Sequence, residues 1–136
     1  MTPPPPLAHG VDLVEIARIE QLLERHGERF LERVFTADER AYANASKRPA
    51  QHLAARFAAK EAALKALGTG LRYGIFWTDV AVHTGPEGAP TLHLSGKAAE
   101  FARHRDLDGW VVSLSHVGGF AMASVIAQVR PSKPTP

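Results

Sequence analysis

The sequence predicts an α+β fold in which a mostly antiparallel sheet packs against a long central helix. Three observations predict it. A short alternating segment, Gly10 to Ile16, reads as a strand. An Ala-rich run ending at Leu67 has helix-forming composition throughout. The residues after it return to strand-like patterning with turn residues between the runs. Strands on either side of a block of helices, without regular alternation, argue for α+β and against a parallel sheet.

The elements follow in order. Residues 1–8 contain four consecutive prolines and read as a loose, polyproline-like extension with no secretory signal pattern. In the first strand Val11 and Leu13, with Ile16, are expected to face the core, which leaves Asp12 and Glu15 to partners or solvent. From Ile16 to Val34 one apolar stripe (Ile16, Ile19, Leu23, Phe30, Leu31, Val34) recurs at helical spacing, and Arg18, Arg25, Arg29 and Arg33 form a second stripe beside it. Gly27 is where this helix can divide. Thr36-Ala37-Asp38-Glu39 has the form of a capping box and starts a short helix. Pro49 suits the first turn of the next helix, whose strongest part runs from His52 to the Gly68-Thr69-Gly70 stop. There Leu53, Phe57 and Leu64 share a face with Glu61, and Lys65 lies one turn further on. Phe76 to His83 and Thr91 to Leu94 read as strands around a Gly85–Gly88 turn, and Gly96 to His104 reads as a short helix. Trp110 to Ser115 and Phe120 to Ala127 read as two strands joined by a turn over 116–119. With a loose tail over 131–136, a single domain spans 9–130.

Composition narrows the function. The 136 residues carry a formal charge of +2, too mild for a nucleic-acid binder. No cysteine is present, which excludes disulfides, Cys-based zinc sites and a thiol nucleophile. No apolar run approaches the roughly 18 residues of a membrane span, so a cytoplasmic location is expected. Of the 16 basic residues 11 are arginines, whose planar forks suit phosphates and carboxylates.

A few residues could carry chemistry. Asp12 lies between apolar neighbours, and Glu61 projects from the apolar side of a helix. Each could be a salt-bridged carboxylate, Glu61 with Lys65 at i+4. Together they could also form a two-carboxylate Mg²⁺ site with positions left for phosphate oxygens. Lys60 and Lys65 are either a solvated face or phosphate neutralisers. Gly68-Thr69-Gly70 lacks the Gly-Lys-Ser/Thr ending of a P-loop. Ser115-His116 has neither a nucleophile elbow nor an identifiable acid. The Arg stripe is a solvated face or a docking surface for an acidic protein.

Three segments together resemble one family. Gly10-Val11-Asp12-Leu13-Val14-Glu15-Ile16-Ala17-Arg18-Ile19, Phe57-Ala58-Ala59-Lys60-Glu61-Ala62-Ala63-Leu64-Lys65-Ala66-Leu67-Gly68-Thr69-Gly70 and Val112-Ser113-Leu114-Ser115-His116 are similar, in order and spacing, to signatures of the holo-acyl-carrier-protein synthases. These are short 4′-phosphopantetheinyl transferases. The resemblance covers residues 9 to 128 and implies that family's fold. It implies transfer of phosphopantetheine from coenzyme A to a serine of apo acyl carrier protein, as a step toward fatty acid biosynthesis. The by-product is adenosine 3′,5′-bisphosphate. It implies a homotrimer with sites between subunits, Asp12 and Glu61 as Mg²⁺ ligands, and Arg56, Lys65, Gly68 and His116 as coenzyme A contacts. Arg18, Leu22, Arg25 and Arg29 are then the face that receives the acidic carrier. Glu61, Asp38 and a metal-bound water stay open as the base. Val117 departs from the pattern, where many relatives have Thr. A non-catalytic module that recognises acidic proteins or nucleic acid through the Arg stripe and a different Mg²⁺ phosphotransferase or hydrolase are the rival readings.

Overall fold

The structure, a computed structural model, describes residues 7–131. Its order is β1 (Leu7–Glu15), α1 (Ile16–His26), α2 (Glu28–Val34), α3 (Ala37–Asn44), α4 (Pro49–Leu67), a 3₁₀ turn (Trp77–Asp79), β2 (Val80–Thr84), β3 (Pro90–Leu94), α5 (Gly96–His104), β4 (Leu107–Val117) and β5 (Phe120–Val129). The described strands form two antiparallel sheets, β1-β5-β4 and β2-β3. This is the α+β arrangement expected. Most of the 1–8 extension and of the 131–136 tail lies outside the described residues; Leu7 and Ala8 belong to β1.

Helix α4 lies across the inner face of the three-stranded sheet and is buried nearly all round from Leu53 to Lys60. Its alanines, and Ala121, Ala123 and Ala127 of β5, keep both surfaces low, so helix and sheet backbones approach closely. The helix ends where expected, with Gly68 at φ +82° and its N–H on the carbonyls of Leu64 and Lys65. The capping box at Thr36 is formed in both directions: the Thr36 hydroxyl accepts from the Glu39 N–H, and Glu39 Oε1 accepts from the Thr36 N–H.

Two expectations are corrected. Residues 76–79 are not strand: the Asp79 carboxylate accepts the Phe76 N–H and winds a 3₁₀ turn before β2. As its place in the pattern allowed, Gly27, at φ +50°, divides the first helical run in two. The faces of β1 are the reverse of those expected. Gly10 and Val14 are buried and Asp12 is half-buried, while Val11 is exposed and Leu13 is 61 % exposed. The physical reason is Gly10: a Cβ there would lie 1.9 Å from the carbonyl oxygen of Ala62, so only glycine permits this strand to rest on the helix backbone. Two-residue periodicity then turns Asp12 inward and Val11 and Leu13 outward.

Candidate active site

The contact of β1 with α4 carries Asp12 to the second half of the helix. Lys65 Nζ donates to Asp12 Oδ1 at 3.0 Å and to the Val11 carbonyl at 3.0 Å. Lys65 therefore pairs with Asp12 and not with Glu61. Burial pushes the Glu61 carboxyl above the usual carboxylate range, and the Asp12 charge pushes it further; Lys65 and Arg18 oppose. A further cation beside this half-buried carboxylate and its neighbour would favour the charged form of both. Asp12 and Glu61 could thus hold a hard dication, with oxygen positions left for other ligands. Asp12 and Glu61 stand as a pair: among the described residues no group of three or more His, Asp or Glu side chains gathers as a metal site.

The first half of α4 builds a second cluster around a cavity of about 260 Å³. Arg56, only 2 % exposed, is its base. Arg56 Nη2 donates to Thr84 Oγ1 at 2.6 Å and Nη1 to the His52 carbonyl at 3.3 Å. The Tyr42 ring covers the guanidinium at 4.3 Å, and the buried Nε has no partner. Gln51 donates to His116 Nε2 at 3.0 Å across the cavity mouth. Burial holds the His52 imidazole below its ordinary range, and the Arg56 and His116 charges add to that. No carboxylate lines the cavity. Its chemistry is that of an anion pocket.

The residues singled out from sequence therefore divide. Asp12, Glu61 and Lys65 meet; Arg56 and His116 meet elsewhere. Gly68 is the helix stop, and a Cβ on it would lie 2.9 Å from Arg105, whose guanidinium donates to the Leu67 carbonyl. Asp38 meets His83 Nδ1 at 3.9 Å rather than Asp12 or Glu61. Arg18, Leu22 and Arg25 lie on α1 and Arg29 on α2, so the break at Gly27 separates residues expected on one arc. Leu22 and Arg29 still share a cleft with His26, Phe30, Arg33 and Trp77.

Lys60 is corrected outright. It is neither a solvated residue nor free for a ligand: its side chain is fully buried and pairs with Glu39 Oε1 at 2.8 Å. Nζ also donates to the carbonyls of Val80 (2.5 Å) and Trp77 (3.3 Å), and Glu39 Oε2 accepts the Val82 N–H at 2.9 Å. The signal was in the sequence, because Lys60 sits at i+7 from Leu53 and i−4 from Leu64, inside the buried stripe Leu53, Phe57, Leu64, Leu67. Tyr42, Gln51, His52 and Thr84 were missed as site residues. They come from three separate elements, and no local pattern joins them.

The fold has known counterparts. The profile of the 4′-phosphopantetheinyl transferase superfamily matches residues 8–123. The chain is thus a transferase-type α+β protein of that superfamily. The holo-[acyl-carrier-protein] synthase of Syntrophotalea carbinolica is 52% identical over 117 residues, covering 86% of this chain and 91% of that one. That of Geobacter sp. strain M21 is 47% identical over 119 residues, covering 88% and 95%. The crystal structure of the Helicobacter pylori holo-[acyl-carrier-protein] synthase in complex with coenzyme A superposes with a TM-score of 0.78 at 32% identity, covering 88% of this chain and 99% of that one. The chain belongs to the holo-[acyl-carrier-protein] synthase family of enzymes.

Proposed function

We propose that this enzyme transfers the 4′-phosphopantetheine group of coenzyme A to a serine hydroxyl of an apo acyl carrier protein, with Mg²⁺, in the cytoplasm. The observation that carries the reading is the meeting of Asp12, Glu61 and Lys65 in a chain of this family. The Helicobacter pylori relative, solved with coenzyme A, supports the choice of substrate. In the reaction the serine oxygen forms a bond to the pyrophosphate phosphorus nearer the pantetheine. The bond from that phosphorus to the bridging oxygen breaks, and adenosine 3′,5′-bisphosphate leaves with the electron pair.

Asp12 and Glu61 are the residues that would hold Mg²⁺, which when bound neutralises charge on the pyrophosphate. Lys65, exposed at its tip and held by Asp12, adds a movable cation for phosphate oxygens. Asp38 is turned toward His83, so Glu61 is the carboxylate better placed to accept the serine proton. Arg56 and His116 supply the other coenzyme A contacts. An acidic carrier helix would lie against Arg18, Leu22, Arg25 and Arg29, with the Leu22–Phe30–Trp77 cleft taking an apolar side chain.

The arrangement favours a shared site. Arg56 and Lys65 are nine residues apart on one helix, which sets them roughly 13 Å apart along its axis and on opposite sides of it. One ligand touching both on a single protomer would have to wrap the helix. The outer face of the β1-β5-β4 sheet is open and apolar, with Val11, Leu13, Val111, Val117, Phe120 and Met122 exposed. We take copies of this chain as what covers that face, in a homotrimer that joins Asp12 of one subunit to Arg56 and His116 of the next.

Mass spectrometry of an apo carrier protein after incubation with the enzyme, coenzyme A and Mg²⁺ tests the reading. The expected result is the added mass of one phosphopantetheine on a serine. Adenosine 3′,5′-bisphosphate should appear only when the carrier is present. An unmodified carrier, or release of the bisphosphate without it, would point to the rival hydrolase.

A further inference from the structure

We propose that His52 is a further binding residue for coenzyme A, taking up a proton when the substrate's phosphomonoester enters the Arg56 cavity. The inference rests on the coenzyme A reading above and adds a residue and a proton to it.

The surroundings of His52 are complete enough to argue from. Helix α3 contributes Tyr42, whose ring packs edge-on against the imidazole at 5.2 Å and 87°. Helix α4 contributes Gln51 and Arg56, β2 contributes Thr84, and β4 contributes Ser115 and His116. Every charged or titratable group facing the imidazole is thus a cation, another imidazole or a phenol. The acid whose charge reaches Arg56, Glu39, is committed to Lys60 and two backbone N–H groups. A second cation beside Arg56 is unfavourable until an anion arrives, and burial and Arg56 keep the free imidazole neutral.

The cavity is nevertheless built for an anion. Arg56 is nearly inaccessible, and its Nε has no acceptor among the described residues. Coenzyme A offers two kinds of phosphate. On the coenzyme A reading its pyrophosphate would lie with the Asp12–Glu61 pair, the residues that would hold a charge-neutralising dication. Its ribose 3′-phosphomonoester carries about −1.5 to −2 charge at neutral pH and needs direct donors rather than a metal. A dianion set among Arg56, His52 and His116 reverses the sign of the local field, so a protonated His52 becomes the favoured form. Tyr42 then acts as a positioning residue: it holds the imidazole on one edge and the guanidinium under its face.

Proton linkage gives a direct test. Calorimetric titration of coenzyme A into the full-chain enzyme, near neutral pH in two buffers of different ionisation enthalpy, reads the number of protons taken up. Wild type should take up protons with coenzyme A, and fewer with 3′-dephospho-coenzyme A. His52→Phe keeps an aromatic ring against Tyr42 and should take up fewer; His52→Gln is the second variant, should the ring alone disturb packing. Near neutrality the coenzyme A KM of either variant should exceed that of wild type by about tenfold for each pH unit by which the titration of the phosphate-bound imidazole lies above the assay pH. Above the titration range of imidazoles the two KM values should converge. Equal proton uptake by wild type and both variants, a KM ratio that does not change with pH, or equal uptake with the dephospho substrate would overturn the proposal. Carrier modification is assayed in parallel: a wild type that neither binds coenzyme A nor modifies carrier overturns the functional reading itself, whereas normal transfer without His52-dependent uptake overturns only this inference.

Discussion

At the residue scale the site depends on charges that the fold forces together. Asp12→Ala and Glu61→Gln should each lower transfer by more than the ~10–100-fold that follows loss of a group merely supporting a metal ligand. Their circular dichroism should match wild type, because neither side chain fills the core; near-normal turnover of either at limiting Mg²⁺ would remove the two-carboxylate site. The raised Glu61 carboxyl also makes a pH prediction for the metal-free protein. A carboxyl whose folded pKa lies above its unfolded value binds more protons folded than unfolded, so its contribution to stability declines as pH rises from about the unfolded value of 4.5. Thermal melts of wild type against Glu61→Gln should show that slope in wild type alone, and Mg²⁺ should offset it.

The Lys60–Glu39 pair makes a different residue-level claim. Lys60 ties the first turn of α3 and the start of β2 to the middle of α4, one residue from Glu61. Lys60→Met should destabilise by about 3–5 kcal/mol, because it leaves Glu39 buried without its cation. The melting temperature measures this. A loss below 1 kcal/mol would mean that Glu39 has been protonated or hydrated at little cost.

At the element scale the decisive contact is β1 on α4. Gly10→Ala must push strand and helix apart, since the obstacle, the Ala62 carbonyl, is backbone and cannot rotate away. It should cost at least the ~1–3 kcal/mol of core overpacking. It should also lower turnover more than it lowers the melting temperature would suggest, because Asp12 rides on the same strand; unchanged kinetics would separate the site from that contact. The carrier surface belongs to α1 and α2. Exposed charge contacts are worth ~0–1 kcal/mol each and are screened by salt. Arg18→Glu or Arg25→Glu should raise the carrier KM by about two- to tenfold at low salt, with coenzyme A affinity nearly constant. The break at Gly27 makes Arg29 a weaker member of the set, since it sits on a separate helix. No change in carrier KM for either α1 variant would move the docking surface to the cleft side.

At the scale of the whole molecule the outer sheet face is the feature a lone protomer does not explain. Leu13 is 61 % and Val117 79 % exposed, on an apolar sheet three strands wide. Leu13→Asp should convert a trimer to monomers in light scattering and abolish activity without unfolding the inner core. Mixing Asp12→Ala with His116→Ala subunits should restore part of the activity if the site is shared, and a fully active monomer would end the trimer proposal.

The sequence by itself determined most of the elements and those ends that carry a local stop or start signal. Thr36 with Glu39, Pro49, Gly68 and the Gly118–Gly119 turn act through local hydrogen bonds and backbone preference, so they are legible one turn at a time. It also carried Asp12, Glu61 and Lys65, through motifs whose order and spacing survive without a structure. Only the tertiary structure decided which way β1 faces. Its alternation fits either face, and the choice turned on a missing Cβ at Gly10 meeting a carbonyl of a helix fifty residues on. The same is true of Lys60, whose apolar stripe announced burial but not the partner, and of the Tyr42–His52–Arg56–Thr84 cavity. Those contacts join α3, α4 and β2, and long-range juxtaposition leaves no periodic trace along the chain.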